Sequence, residues 1–581
     1  MDIKSLTDNL SVSGQIALAE LVAIKEQGFR SIICNRPDGE GSDQPTFEEI
    51  SAVAKAQGLE VIYQPVTMVT DADAEAFSKS LTALPSPTLA YCRSGTRCST
   101  LWALGQAANG TMATDKILAT TSAAGYDLSG MADRLATNVK PAAEAPKAEP
   151  AAQTSKTQAA AQAPTQEKSM TKSHEVVIVG AGAAGISLAA SLKSRQADLE
   201  VVVIDPADTH YYQPGWTMVG GGIFEAKQTA HSMTSVIPKG VEWIKASVET
   251  FNPADNAVVL SDGQVVTYKR LIVCPGLKLD WDKVEGLAET IGKHGVTSNY
   301  RYDLAPYTWE LVQAMKSGRA IFTQPPMPIK CAGAPQKAMY LSGDAWSRSG
   351  VLKDIDIQFN NAGGVLFGVA DYVPALMEYV KKYDASLNFF HNLVAVDGAA
   401  KKAWFDVAKP DTPVERIEME FDMMHVCPPQ TAPDFIRNSP LVDAAGWVDV
   451  DQATLRHKTY ENIWSLGDVM NAPNAKTAAA ARVQAPIVAE NVLADIRSSS
   501  PVAQYNGYGS CPLTVERGKI VLAEFGYGGA LLPSFPKFLL DGTKPTRLAW
   551  ILKEKILPPL YWNAMLKGRE WLVKPETKAD S

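Results

Sequence analysis

At 581 residues the chain is too long for a single core, and about three or four compact units are expected. Hydrophobic residues make up 46% and charged residues 20%, the balance of an ordinary globular protein, and a formal net charge of -8 without a long basic run excludes a nucleic-acid binder. Seven cysteines with no framework spacing exclude a secreted disulfide scaffold. No run of about 18 apolar residues is available to span a membrane, and MDIKSLTDNL lacks the apolar centre of a signal peptide. No metal-ligand cluster is expected.

Residues 1–138 read as a small α/β domain. Ser31–Asn35 and Glu60–Tyr63 are expected as strands, and Phe47–Gln57 and Asp71–Ala83 as helices, with Asp71 as a cap. The apolar run Thr88–Tyr91 then meets Cys92-Arg93-Ser94-Gly95-Thr96-Arg97, a loop whose cations and amides would stabilise a thiolate. Cysteine phosphatases use Cys-x5-Arg. Arg97 instead gives Cys-x4-Arg, a six-residue loop like that of rhodanese sulfurtransferases, suited to persulfide sulfur. Sulfur handling by Cys92 and Arg97 is therefore the first reading and phosphatase the second, with Asp38 as a conceivable general acid. Cys98 is either a resolving thiol or a core residue. Residues 139–172, rich in Ala, Pro, Gln and Lys, have no apolar periodicity and form a flexible linker.

The segment Glu175–Val179 is a strand that runs into Gly180-Ala181-Gly182-Ala183-Ala184-Gly185 and a helix to Arg195. A second strand, Leu199–Ile204, ends in Asp205. Strand, G-x-G-x-x-G turn, helix, strand and acid in that order are a dinucleotide-binding unit. Gly180, Gly182, Ala183 and Gly185 would approach the pyrophosphate, and Asp205 would accept from ribose hydroxyls. A strand at Asn462–Leu466 ends in Gly467-Asp468, and a small-residue helix follows from Lys476; in two-dinucleotide flavoproteins such an aspartate binds the FAD ribityl chain. The expected architecture is α/β: 173–280 and 395–500 form one Rossmann-type FAD domain, with Lys476 beside the cofactor, interrupted by a pseudo pyridine-nucleotide domain at 281–394. In that second domain the strand Arg319–Thr323 leads to a proline-rich turn without a glycine fingerprint, which argues against NAD(P)H. Cys331 stands there next to Lys330, before a helix expected over Gln336–Trp346.

Five stretches, Tyr211–Thr217, Lys330–Lys337 (KCAGAPQK), His425–Pro429, Ala445–Asp451 and Gly509–Leu513, resemble sulfide:quinone oxidoreductases of the mitochondrial type over 173–570. Residues 1–138 resemble the phosphatase-like beta-lactamase hydrolase-like domain through Leu6-Thr7-Asp8, Asn35–Glu40 and Tyr91–Thr96. The first resemblance implies FAD, sulfide attack on a cysteine disulfide or trisulfide, electron transfer to a membrane quinone and release of sulfane sulfur to a small thiol or other acceptor. It implies Cys331 as one redox cysteine and a partner directly after Gly467-Asp468, where this chain has Val469. Cys427, Cys274 or Cys92 would have to replace it. Cys427 is favoured, although Cys274, Cys427 and Cys511 each read equally well as buried structural thiols.

Residues 501–581 form the last expected unit. Within it, residues 546–572 carry two short amphipathic segments around Pro558-Pro559, rich in Trp, Tyr and Lys, as suits attachment to a membrane surface. The expected location is cytoplasmic, peripheral on the inner membrane, and a homo-oligomer is allowed. Two other readings stay open: a phosphatase joined to an FAD-dependent oxidoreductase of another substrate, and an FAD-binding redox or sulfide sensor.

Overall fold

The computed structural model describes residues 3–135 and 173–575, apart from 8, 39–43, 67–68, 93–94, 111, 127, 129–130, 132–133, 474 and 574. The chain divides into two compact units, residues 1–167 and 168–581. The linker expected at 139–172 lies outside the described residues.

In the first unit the strands Leu10–Ser13, Thr88–Tyr91, Ser31–Cys34 and Glu60–Tyr63 run parallel in that order, and Ile3–Thr7 adds an antiparallel edge. Thr88–Tyr91 lies in the middle of the sheet and is buried throughout, so the loop that follows it starts at the carboxyl end of the sheet. Helices Phe47–Ala56 and Asp71–Ala83 fall where the periodicity places them. The cap of the second is Thr70, one residue before the expected Asp71: its hydroxyl accepts from the Asp73 amide.

The second unit has one large core beneath a seven-stranded sheet. Val241–Ile244, Val201–Ile204, His174–Val179 and Val265–Val273 run parallel, and Ile463–Ser465 pairs with the end of Val265–Val273. The late strand thus returns to complete the sheet begun almost three hundred residues earlier. The interrupting unit is a parallel five-stranded sheet in the order Val296–Thr297, Met423–His425, Gly318–Gln324, Ile355–Asn361, Ser386–Phe389. It extends past the boundary expected at 394, because Met423–His425 pairs with Gly318–Gln324. The hairpin Gly509–Glu516 with Lys519–Phe525 packs on the helix Ala334–Ser349, sharing a core with it through Cys511, Leu513 and Val515.

The last segment folds back onto the helix that follows the glycine-rich turn. Arg195, on the helix Ala183–Arg195, donates to both carboxylate oxygens of Glu570 at 2.5 and 2.8 Å and to Glu490 at 2.7 Å. Pro558-Pro559 does not separate two helices. It occupies the first turn of the helix Leu557–Asn563, where missing amides cost nothing, directly after a π-turn at Leu552–Ile556. Among the described residues no helix is long and apolar enough to cross a membrane. Glu570→Gln removes one of the two carboxylate partners of the partly buried Arg195, and thermal or urea unfolding should show a loss of about 1–2 kcal/mol.

Candidate active site

The nucleotide cradle follows from the strand–turn–helix geometry. Gly180 has φ 106°, and a Cβ on Gly185 would lie 1.8 Å from the Gly180 carbonyl oxygen, so both positions require glycine. Gly182, by contrast, has open space where its Cβ would be, at the N-terminus of the helix Ala183–Arg195. That is the place for an anionic pyrophosphate. Asp205 accepts from the Ala181 amide at 2.7 Å and the Ala207 amide at 2.8 Å, which fixes the turn and leaves each oxygen a second lone pair. Gly467 (φ 79°) brings the second loop within 3.1 Å of the Ala184 methyl group, measured from its would-be Cβ. Burial pushes the Asp468 carboxyl up, opposed by Lys476 and Lys330. Lys476 donates to the carbonyls of Asp468 and Met470 at 2.7 and 2.8 Å and sits 4.2 Å from the Trp447 ring centre. It thus shapes the Gly467–Met470 turn, and burial lowers its pKa to about 8. The open helix N-terminus at Gly182 and the carboxylates of Asp205 and Asp468 fit a flavin cofactor.

The reactive sulfur pair differs from the sequence expectation. Cys331 Sγ lies 3.7 Å from Cys511 Sγ, on the hairpin strand 180 residues later. Gly333 makes the approach possible: a Cβ there would be 2.6 Å from the Cys511 sulfur. Val469 is fully buried in the core of the large sheet. Cys274 is buried beneath the Gly180 turn, and burial holds its thiol well above the usual range. Cys427 lies close by, in a small cluster with Tyr300 and Ile329 that Cys331 borders, but it is bonded to Gln430. Burial pushes its thiol up to about 12, and the sulfur in contact with Cys331 is that of Cys511.

The cation also differs. Lys330, adjacent in sequence, turns away to Gln213 Oε1 at 2.6 Å and lies over the Trp216 ring. Lys337, buried on the first turns of the helix Ala334–Ser349, places Nζ 3.1 Å from Cys331 Sγ and 3.6 Å from Cys511 Sγ. The Cys511 hydrogen bond and then Lys337, working against burial, hold Cys331 well below the usual thiol range. The bond to Cys331, together with burial, holds Cys511 well above it. The anion is thus favoured on Cys331, the sulfur nearer Lys337. Cys331 adopts φ 49°, a left-handed conformation that costs a residue with a side chain roughly 1–2 kcal/mol. A further buried lysine, Lys553, reaches the site from the π-turn and donates to the Pro214 carbonyl at 2.8 Å. Burial, then repulsion from Lys337, lowers its pKa to about 7.

In the first unit Cys92 ends the central strand, 1% exposed, and its sulfur accepts from the Gly95 amide at 3.1 Å. Gly95 (φ 90°) starts the helix Thr96–Ala108. Arg97 donates to the Asn35 carbonyl at 3.0 Å, tying that helix to the neighbouring strand. Cys98 is fully buried and held well above the usual thiol range by burial and a hydrogen bond to Cys92. Asp38 accepts from the Phe47 amide at 2.7 Å, at the start of the helix Phe47–Ala56. Arg93 and Ser94 lie outside the described residues. Among the described residues no cluster of His, Cys, Asp and Glu could hold a metal ion.

Residues 2–109 match the family described as beta-lactamase hydrolase-like protein, phosphatase-like domain, and residues 174–308 match pyridine nucleotide-disulphide oxidoreductases. The chain is 40% identical over 398 residues to the mitochondrial sulfide:quinone oxidoreductase of Mus musculus, which spans 68% of this chain and 87% of the relative. It is 42% identical over 410 residues to the Dictyostelium discoideum protein of the same name, 70% of this chain and 88% of that one. The crystal structure of sulfide:quinone oxidoreductase from Aquifex aeolicus superposes with a TM-score of 0.57 at 18% identity, covering 68% of this chain and 92% of that one, which supports the shared fold. The first unit is 37% identical over 130 residues to a beta-lactamase hydrolase-like protein of Xylella fastidiosa, 22% of this chain and 30% of the relative.

Lys553 supplies a prediction with a definite sign. Its folded pKa is depressed, so the unfolded chain binds the extra proton between about pH 7 and 10.5, and burying this residue costs most below pH 7. Lys553→Met should raise the melting temperature at pH 6, and the gain should shrink as pH rises through that window.

Proposed function

This chain belongs to the sulfide:quinone oxidoreductase family, and from that premise we propose that it oxidises sulfide at the Cys331–Cys511 pair and passes the electrons through FAD to a membrane quinone. The observation that carries the reading is the 3.7 Å sulfur–sulfur contact with Lys337 3.1 Å from one of the two. Hydrosulfide attacks Cys511 of a Cys331–Cys511 disulfide. The S–S bond breaks, Cys331 leaves as a thiolate, and Cys511 carries the new persulfide. Attack at Cys511 follows from leaving-group ability: Lys337 and the N-terminus of the helix Ala334–Ser349 stabilise the Cys331 anion, and the better-stabilised thiolate departs faster. A thiolate acceptor then takes the outer sulfur and leaves a Cys511 thiolate. Closing the pair to a disulfide releases two electrons, which bound FAD, held by Gly182, Asp205 and Asp468, would accept and relay to quinone.

The same reading gives the first unit the task of receiving sulfane sulfur on Cys92. One observation supports sulfur transfer over phosphate hydrolysis: the loop is one residue short of Cys-x5-Arg. The membrane surface is the expected location of quinone. Phe538 (93% exposed), Leu539, Leu548, Ile551 and Ile556 leave apolar side chains in solvent beside Lys537, Lys544 and Arg547, a composition that suits a headgroup layer.

Anaerobic addition of sulfide to the full-length protein should bleach the flavin absorbance, and a short-chain quinone should restore it. Cys511→Ser and Cys331→Ser should each lower turnover by at least about a thousandfold, whereas Cys427→Ser should remain within about threefold of the parent. Turnover that survives Cys511→Ser would reject the pairing. Labelled sulfide should place label on Cys92 during turnover, and its absence there would reject the role given to the first unit.

A further inference from the structure

Cys331 is held in its left-handed conformation from several sides. Its amide donates to the Lys476 carbonyl at 2.9 Å, and its own carbonyl accepts from the Ala334 amide at 2.7 Å. The amide before it, Lys330, donates to Gln430 Oε1 at 2.7 Å. These bonds fix the loop's two flanks. The peptide groups on either side of the Cys331 α-carbon are gripped by one side chain. The Tyr300 hydroxyl, on a residue 4% exposed, divides its hydrogen bond between the Lys330 carbonyl at 3.2 Å and the Cys331 carbonyl at 3.4 Å, both legs long because the proton is shared.

We infer that Tyr300 is the positioning residue for the reactive sulfur: by holding the two carbonyls that flank the Cys331 α-carbon it keeps this cysteine at positive φ, which aims Sγ at Lys337 and Cys511. A cysteine prefers negative φ, and the loop would relax in that direction once the two carbonyls were released. Relaxation swings Sγ away from the Lys337 ammonium and from the thiol that donates to it. In this role Tyr300 takes no part in bond making. Its hydroxyl also faces Cys427, which offers a competing explanation for its presence. The inference rests on the reading of Cys331 as the thiolate of the pair.

The test is the pH dependence of Cys331 alkylation in the reduced full-length flavoprotein, followed on the tryptic peptide that begins at Cys331 and ends at Lys337, or at Arg348 in Lys337→Met. Lys337→Met, which removes the cation, should move the midpoint upwards and checks the underlying thiolate reading. Tyr300→Phe keeps the ring and its packing and removes only the hydroxyl. It should move the midpoint up by about one pH unit, a tenfold drop in modification at a fixed pH below the midpoint, with flavin content and melting temperature near those of the parent. Cys427→Ala leaves the hydroxyl free for the two carbonyls and should leave the midpoint unchanged or slightly lower. This second variant keeps the test decisive should Tyr300→Phe lose its flavin. An unchanged midpoint in Tyr300→Phe beside a shifted Lys337→Met overturns the inference and leaves the thiolate reading intact. A rise in Cys427→Ala assigns the hydroxyl to Cys427 and overturns it as well. An ordinary thiol midpoint in the parent, unmoved by Lys337→Met, removes both.

Discussion

One buried ammonium group organises the chemistry of this molecule. Lys337 Nζ lies between two sulfur atoms, 3.1 Å from one and 3.6 Å from the other, inside a core that would otherwise expel its charge. Burial alone would drive the lysine neutral and both thiols protonated. The thiolate on Cys331 and the ammonium on Lys337 are each tolerable because the other is there, and the Cys511 thiol supplies the remaining hydrogen bond. Removing either charged partner leaves the other uncompensated in a closed site, and removing the Cys511 thiol costs the thiolate a hydrogen bond. The fold is arranged around that constraint: the helix Ala334–Ser349 carries the lysine, the hairpin Gly509–Phe525 brings the second sulfur, and Gly333 clears the space between them.

The interrupted domain explains why distant segments have to meet. The strand Ile463–Ser465 completes the first sheet only after the whole second sheet has been built, and its turn, Gly467–Met470, is gripped by Lys476. The carbonyl of the same Lys476 pairs with the Cys331 amide. The residue that shapes the Gly467–Met470 turn is thus the residue whose backbone fixes the sulfur loop, so the two loops are held in one register. The C-terminal segment joins from the other side, with Lys553 towards the sulfurs and Tyr561 bonded at 2.6 Å to His210, whose other ring nitrogen meets the Ala181 carbonyl.

What the sequence made legible was local. Strand, glycine turn, helix and acid at 174–205 follow from periodicity and backbone sterics, and Cys331 announced itself by standing before a helix. Lys330 looked like its cation because it is adjacent in the chain, yet neighbouring side chains diverge, and the residue that reaches the sulfur is one turn into the helix. Cys511 was hidden for a related reason. On a strand 180 residues away, between a serine and a proline, nothing local separates a redox thiol from a buried structural one. Its segment contributed to the family resemblance, but the partner was sought directly after Gly467-Asp468, where Val469 proves to be core. The domain boundary at 394 slipped for the same reason, since the short strand Met423–His425 belongs to a sheet whose other members lie before it.

The pairing of Cys331 with Cys511 is the claim on which the account stands, and peptide mapping of the oxidised full-length protein under non-reducing conditions tests it most directly. Trypsin isolates Cys331 on the short peptide ending at Lys337 and Cys511 on the peptide ending at Arg517. The account predicts these two peptides joined, by a disulfide or with an extra bridging sulfur, and separated by reductant. Cys331 found joined to Cys427, Cys274 or Cys92 would contradict it.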